Sequence, residues 1–126
     1  MILLDTSVLI GALTGTRPAA PALGNVLSTG EVLTLSAIVL FEWLRGPRLA
    51  SEIAAQEALF PSESALAFGA AEARLGASIY RAIQRPRGRE ADIAIAATAI
   101  RHNAQLWTLN PKDFADIPGL SLHRPR

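Results

Sequence analysis

The chain has 126 residues, enough for one domain, and a chain of this size buries about two thirds of the surface its unfolded form exposes. Half of the residues are apolar but only 6% are aromatic, so the core must be built from Ala, Leu, Ile and Val. The absence of cysteine excludes disulfides, thiolate metal sites and a cysteine nucleophile, and fits a reducing, cytoplasmic compartment. The formal net charge of +1 conceals an uneven distribution: eleven of twelve basic residues are Arg, and Arg81, Arg85, Arg87 and Arg89 fall within nine positions.

The amino terminus carries no basic stretch before its apolar run and has an acid inside the segment. It reads neither as a signal peptide nor as a membrane span. Ile2-Leu3-Leu4 instead reads as a strand buried on both faces, as in the centre of a parallel sheet. Asp5 then stands at the carboxyl end of that strand, the edge where open α/β sheets leave a crevice for chemistry. The plainer alternative is that Asp5, Thr6 or Ser7 caps the following helix, whose apolar residues are Val8, Leu9, Ile10 and Leu13.

A break from Gly15 to Pro21, containing Pro18, precedes a short helix to Ser28 that Thr29-Gly30 ends. Glu31 to Leu35 alternates as a second strand. Ser36 is placed to cap a helix from Ala37 to Arg45, which Gly46-Pro47 stops. That helix is apolar nearly all round, and Glu42 is its one acid. Either Glu42 pairs with Arg45 one turn later, or it faces a polar cleft.

A helix from Arg48 to Leu59 and a very short strand at Leu59 to Pro61 are expected next. Ser62 or Ser64 then opens a long helix to about Gln84, whose stripe of Phe68, Leu75, Ile79 and Tyr80 is core or subunit interface. Pro86 ends it, and residues 85–89 form a basic loop, either solvated or a contact for nucleic acid or an acidic partner. Glu90 to Ile100 is nearly all small or apolar and should lie deep. Asp92, in its first turn, is suited to a capping role by the helix dipole.

The chain closes with a strand from Gln105 to Leu109, a turn from Asn110 to Phe114 containing Asp113, and an edge strand within Ile117 to Leu122. Alternating helices and strands, with right-handed crossovers, predict an α/β domain spanning residues 1–126, with a short, mainly parallel sheet of four or five strands between helical layers. On that plan Asp5, Glu42, Asp92 and Asp113 all reach one sheet edge. Carboxylates about 4 Å apart repel by roughly 4 kcal/mol at an effective dielectric of 20, so such a group requires a proton or a cation. Oxygen donors without His or Cys select a hard ion, Mg²⁺ or Mn²⁺, and the chemistry that suits it is phosphodiester hydrolysis.

Leu3-Leu4-Asp5-Thr6-Ser7-Val8, Phe41-Glu42-Trp43-Leu44-Arg45-Gly46, Asp92-Ile93-Ala94-Ile95-Ala96-Ala97-Thr98-Ala99 and Thr108-Leu109-Asn110-Pro111-Lys112-Asp113-Phe114 resemble the four acidic motifs of PIN-domain ribonucleases, in order and over the whole length. The VapC-type toxins of toxin-antitoxin pairs match best. The resemblance implies a three-layer α/β/α fold, a Mg²⁺-dependent endoribonuclease, a homodimer, and neutralisation by an antitoxin that inserts a segment into the acidic groove. It makes Asp5 and Asp92 the principal metal ligands, has Glu42 complete the site or orient water, and leaves Asp113 or Asn110 for the fourth position. Thr6, Thr108 and Asn110 would support the carboxylates or the substrate, with Arg85, Arg87 and Arg89 as RNA or partner contacts.

Two other functions compete for the same residues. A phosphoaspartyl transferase needs an acid two residues after the nucleophile, or an acidic pair before it and a late lysine, whereas Ser7 stands there and the one lysine is Lys112. A binding module on the same scaffold would use its acids as caps and its arginines on phosphates.

Overall fold

The computed structural model describes residues 1–15 and 19–125. The part of the expected break that contains Pro18 lies outside the described residues. β1 (Ile2–Leu4) is the centre of a three-stranded sheet, flanked by β2 (Leu33–Thr34) and β3 (Gln105–Trp107), both parallel to it. A single parallel bridge extends each edge, Ser36 with Leu66 beside β2 and Leu106 with Leu122 beside β3. All three residues of β1 are buried. Because successive side chains point to opposite faces, both faces of the sheet must be covered by helices, which is why the run shows no polar alternation.

The helices are α1 (Thr6–Leu13), α2 (Ala20–Ser28), α3 (Ala37–Arg45), α4 (Ala50–Leu59), α5 (Ala70–Ala82) and α6 (Glu90–Arg101). Ser36 caps α3 as expected, its hydroxyl accepting from the Val39 amide at 3.1 Å. α6 is the buried helix: Ile93, Ile95, Ala96, Ala97, Thr98 and Ala99 are all inside. Its small side chains let α5 lie along one side while α3 and β3 pack elsewhere on it. Trp43 from α3 and Trp107 from β3 fill the largest volumes in the core.

The segment between α4 and α5 departs from expectation. Residues 59–61 form no strand, since Phe60 ends α4 by donating to the Gln56 carbonyl at 2.7 Å. The strand-like position belongs to Leu66, which accepts from the Ala37 amide at 2.8 Å and donates to the Leu35 carbonyl at 2.9 Å. An α-helix cannot start at Ser62 or Ser64 while Leu66 is committed to the sheet edge. Residues Ser62–Ser64 therefore make one 3-10 turn, the chain runs extended, and α5 begins only at Ala70, where the Glu72 carboxylate accepts from the Gly69 amide at 2.8 Å. The turn expected after β3 is a 3-10 helix over Pro111–Phe114, and the last edge strand is reduced to the bridge at Leu122.

Candidate active site

Strand register builds the site. Leu4 pairs with Trp107, and the ladder closes with the Asp5 amide donating to the Trp107 carbonyl at 2.8 Å. The next residues along the two strands, Asp5 and Thr108, are thereby brought side by side at the carboxyl ends. Asp5 is 6% exposed and occupies the N-cap position of α1, yet its side chain caps nothing. Its Oδ2 instead accepts from the Thr108 hydroxyl at 2.7 Å and the Ser7 hydroxyl at 2.8 Å.

Those two hydroxyls are themselves oriented. Ser7 Oγ accepts from the Leu109 amide and Thr108 Oγ1 from the Asn110 amide, each at 3.0 Å. A hydroxyl carries one proton. With acceptor positions filled by backbone amides, both protons can be directed at the carboxylate. Asn110 thus joins the network through its backbone.

Glu42, on the α3 face toward α1, accepts from the Thr6 hydroxyl through Oε1 at 2.7 Å, while Oε2 stands 3.6 Å from the Arg45 guanidinium. Both alternatives for this acid are therefore realised, the pair with Arg45 and the contact across the cleft. Asp92 is half-buried in the first turn of α6. Its pKa is pushed up to about 6 by burial and then by the negative charges of Asp5, Asp113 and Glu42, with Arg89 partly opposing. Asp5, Asp113 and Glu42, far apart in sequence, thus lie within electrostatic reach of Asp92 and give the sheet's carboxyl edge an acidic basin. Among the described residues, no three His, Asp or Glu side chains are already drawn together tightly enough to hold a metal ion.

The arginines divide. Arg89 forks onto Asp116 at 2.6 and 3.0 Å and donates to the carbonyls of Asp113 at 3.0 Å and Gln84 at 3.3 Å. It thus ties the start of α6 to the turn that carries Asp113. Arg81, Arg85 and Arg87 are exposed. Ser7 joins the acid network in addition to the residues expected from the sequence, and its signal there is a hydroxyl two residues after an acid at a helix start. Arg45, expected only as an alternative partner for Glu42, stands at the edge of the same network.

The family model described as PIN domain matches residues 2–120, which include all four acids. This chain belongs to the PIN domain family. Ribonuclease VapC19 of Mycobacterium tuberculosis is 36% identical to this PIN domain over 127 residues, covering 95% of this chain and 97% of that protein. The crystal structure of DNA-bound VapBC from Salmonella typhimurium is similar with a TM-score of 0.77 and 25% identity, over 97% of this chain and 96% of the other. A toxin-antitoxin complex from Klebsiella pneumoniae gives a TM-score of 0.72 and 27% identity over the whole of both chains. These likenesses match the three-layer α/β arrangement with its short parallel sheet.

Proposed function

We propose that this PIN domain is a metal-dependent endoribonuclease, the toxin of a toxin-antitoxin pair. The observation that carries the reading is the Asp5 carboxylate held at the strand end by Thr108 and Ser7, with Asp113 and Glu42 joining it in raising the Asp92 carboxyl to about 6. The likeness to Ribonuclease VapC19 supports RNA as substrate.

Asp5 and Asp92 would hold a divalent ion, Mg²⁺ or Mn²⁺, with Glu42 and Asp113 completing the negative field. The donor set fits: it is all oxygen, and Mg²⁺ commonly keeps several waters while taking only one or two carboxylates directly. A bound ion would polarise a phosphoryl oxygen and favour ionisation of a nearby water. The chain's own part is to aim the donors. Ser7 and Thr108 occupy Oδ2 of Asp5, and Thr6 fixes Oε1 of Glu42, so each carboxylate presents a defined remaining face.

For partners we propose a cognate antitoxin and a homodimer in the cytoplasm. The likeness to the Klebsiella pneumoniae toxin-antitoxin complex supports the first. Part-exposed Phe68 and Tyr80, beside an apolar groove of about 330 Å³ between α5 and α6, support an interface there. No described helix is long and apolar enough to cross a membrane. The test is to incubate structured and single-stranded RNA with the purified chain, with Mg²⁺ or with a chelator. Cleavage that needs the ion and is lost in Asp5→Asn supports the reading, and intact RNA with salt-sensitive binding refutes it in favour of a non-catalytic RNA-binding module.

A further inference from the structure

The basin is flanked by two arginines in contrasting states. Arg89 is fully engaged by Asp116 and two backbone carbonyls, so its donors are committed within the fold. The Arg45 guanidinium makes no hydrogen bond among the described residues: its approach to Glu42 is 3.6 Å, the side chain is 62% exposed, and the guanidinium lies over the Phe41 ring, 5.6 Å from its centroid. Phe41 is itself 62% exposed, although burying such a ring is strongly favourable. Residues 41 and 45 share a helix face, while 42, between them, reaches into the basin to Thr6. A cation with no hydrogen-bonded partner and a largely exposed aromatic ring, with the guanidinium over one of its faces, therefore sit together at the rim, joined to a basin carboxylate through Arg45.

We propose that Phe41 and Arg45 form the grip for single-stranded RNA at the mouth of the basin, a role that rests on the nuclease reading above. Arg45 takes a backbone phosphate next to the scissile one, since its planar fork matches phosphate geometry. Phe41 offers its ring to the adjoining unpaired base. Aromatic stacking of this kind accepts any base and is the usual means by which proteins hold unstacked RNA. The weak contact with Glu42 keeps the guanidinium at the rim and is readily exchanged for a phosphate.

The test uses the chain carrying Asp5→Asn, so that RNA stays intact, and a short mixed-sequence single-stranded oligoribonucleotide containing 2-aminopurine, titrated over a range of KCl concentrations. Adding Arg45→Met, which keeps the aliphatic stem, should weaken binding and reduce the slope of log affinity against log salt by about 0.7, one phosphate contact on a single strand. Adding Phe41→Leu should weaken binding about ten-fold with the slope unchanged and should abolish stacking-induced quenching of 2-aminopurine. Thermal melts of both should match the parent. Parental affinity, slope and quenching in both variants would overturn the grip, and so would loss of binding only to a protein partner. The nuclease reading is separable: if the wild-type chain never cleaves RNA while these shifts appear, Phe41 and Arg45 still hold RNA, as a binding surface, and the nuclease reading falls. If the wild type cleaves and the variants bind like the parent, only the grip fails.

Discussion

Thr108 donates to Asp5 Oδ2 at 2.7 Å across a sequence separation of 103 residues. Thr108→Val keeps the shape of the side chain but leaves Asp5 with Ser7 as its one remaining hydroxyl donor. The expected cost is about 1–2 kcal/mol in stability, measured by urea unfolding, from a buried acceptor losing a donor. Mn²⁺ affinity, read by calorimetry, should fall about ten- to a hundred-fold, as for other residues that orient a ligand. Adding Ser7→Ala should produce a loss that is not the sum of the two, because both hydroxyls serve one oxygen.

Asp92 gives a pH signature. Its carboxyl is raised from 3.8 to about 6 in the fold, so this group favours folding below about pH 4. That contribution is lost as pH rises through about 6, where the folded protein must also ionise Asp92 beside three other acids. Asp92→Asn should therefore stabilise the metal-free protein at about pH 8 by on the order of 1 kcal/mol, and should give nothing at about pH 4. A full shift of this size corresponds to roughly 3 kcal/mol, but a half-buried group is partly screened by solvent. Melting curves of both proteins at several pH values check this. A destabilised variant at pH 8 would mean that the charge caps α6 more than it is repelled.

Arg89 holds the turn that bears Asp113. Arg89→Ala should cost about 1 kcal/mol, because the forked pair with Asp116 is partly exposed. Asp116, now held below its ordinary range chiefly by its hydrogen bond from Arg89, should titrate nearer 3.8 in the variant, a shift visible by NMR. Hydrogen exchange should increase in the 3-10 helix Pro111–Phe114 and leave β1 unchanged.

Leu3 is wholly buried at the centre of the sheet. Leu3→Ala should destabilise by about 2–5 kcal/mol, since a cavity adds to the lost transfer energy. The denaturation midpoint should drop with the slope unchanged.

Much of this was legible in the residues. Ile2, Leu3 and Leu4 announced a doubly covered strand, and Ser36 followed by nine helical residues announced α3. Asp5 stands out just beyond a strand, Asp92 in the first turn of a helix, Asp113 in the turn after β3, and Glu42 as the one acid of an otherwise apolar helix. The segment after α4 was not legible, because its conformation depends on the Leu66 backbone bonding to Leu35 and Ala37, and backbone groups leave no trace in side-chain pattern. The division of labour among the arginines was hidden for a related reason. Arg89 and Arg45 look alike in the chain, and only the positions of Asp116 and Phe41 distinguish them.

The sheet order, with β1 between β2 and β3, has a consequence for how the protein is made. Synthesis runs from β1 to β3, so the strand that will be central spends most of translation with one side unpaired. Asp5 acquires Thr108, and Asp92 its neighbour Asp113, only when residues 105–113 have left the ribosome. A chain that stops short of β3 therefore lacks the Asp5–Thr108 contact, and the acids come together only once residues 105–113 are in place.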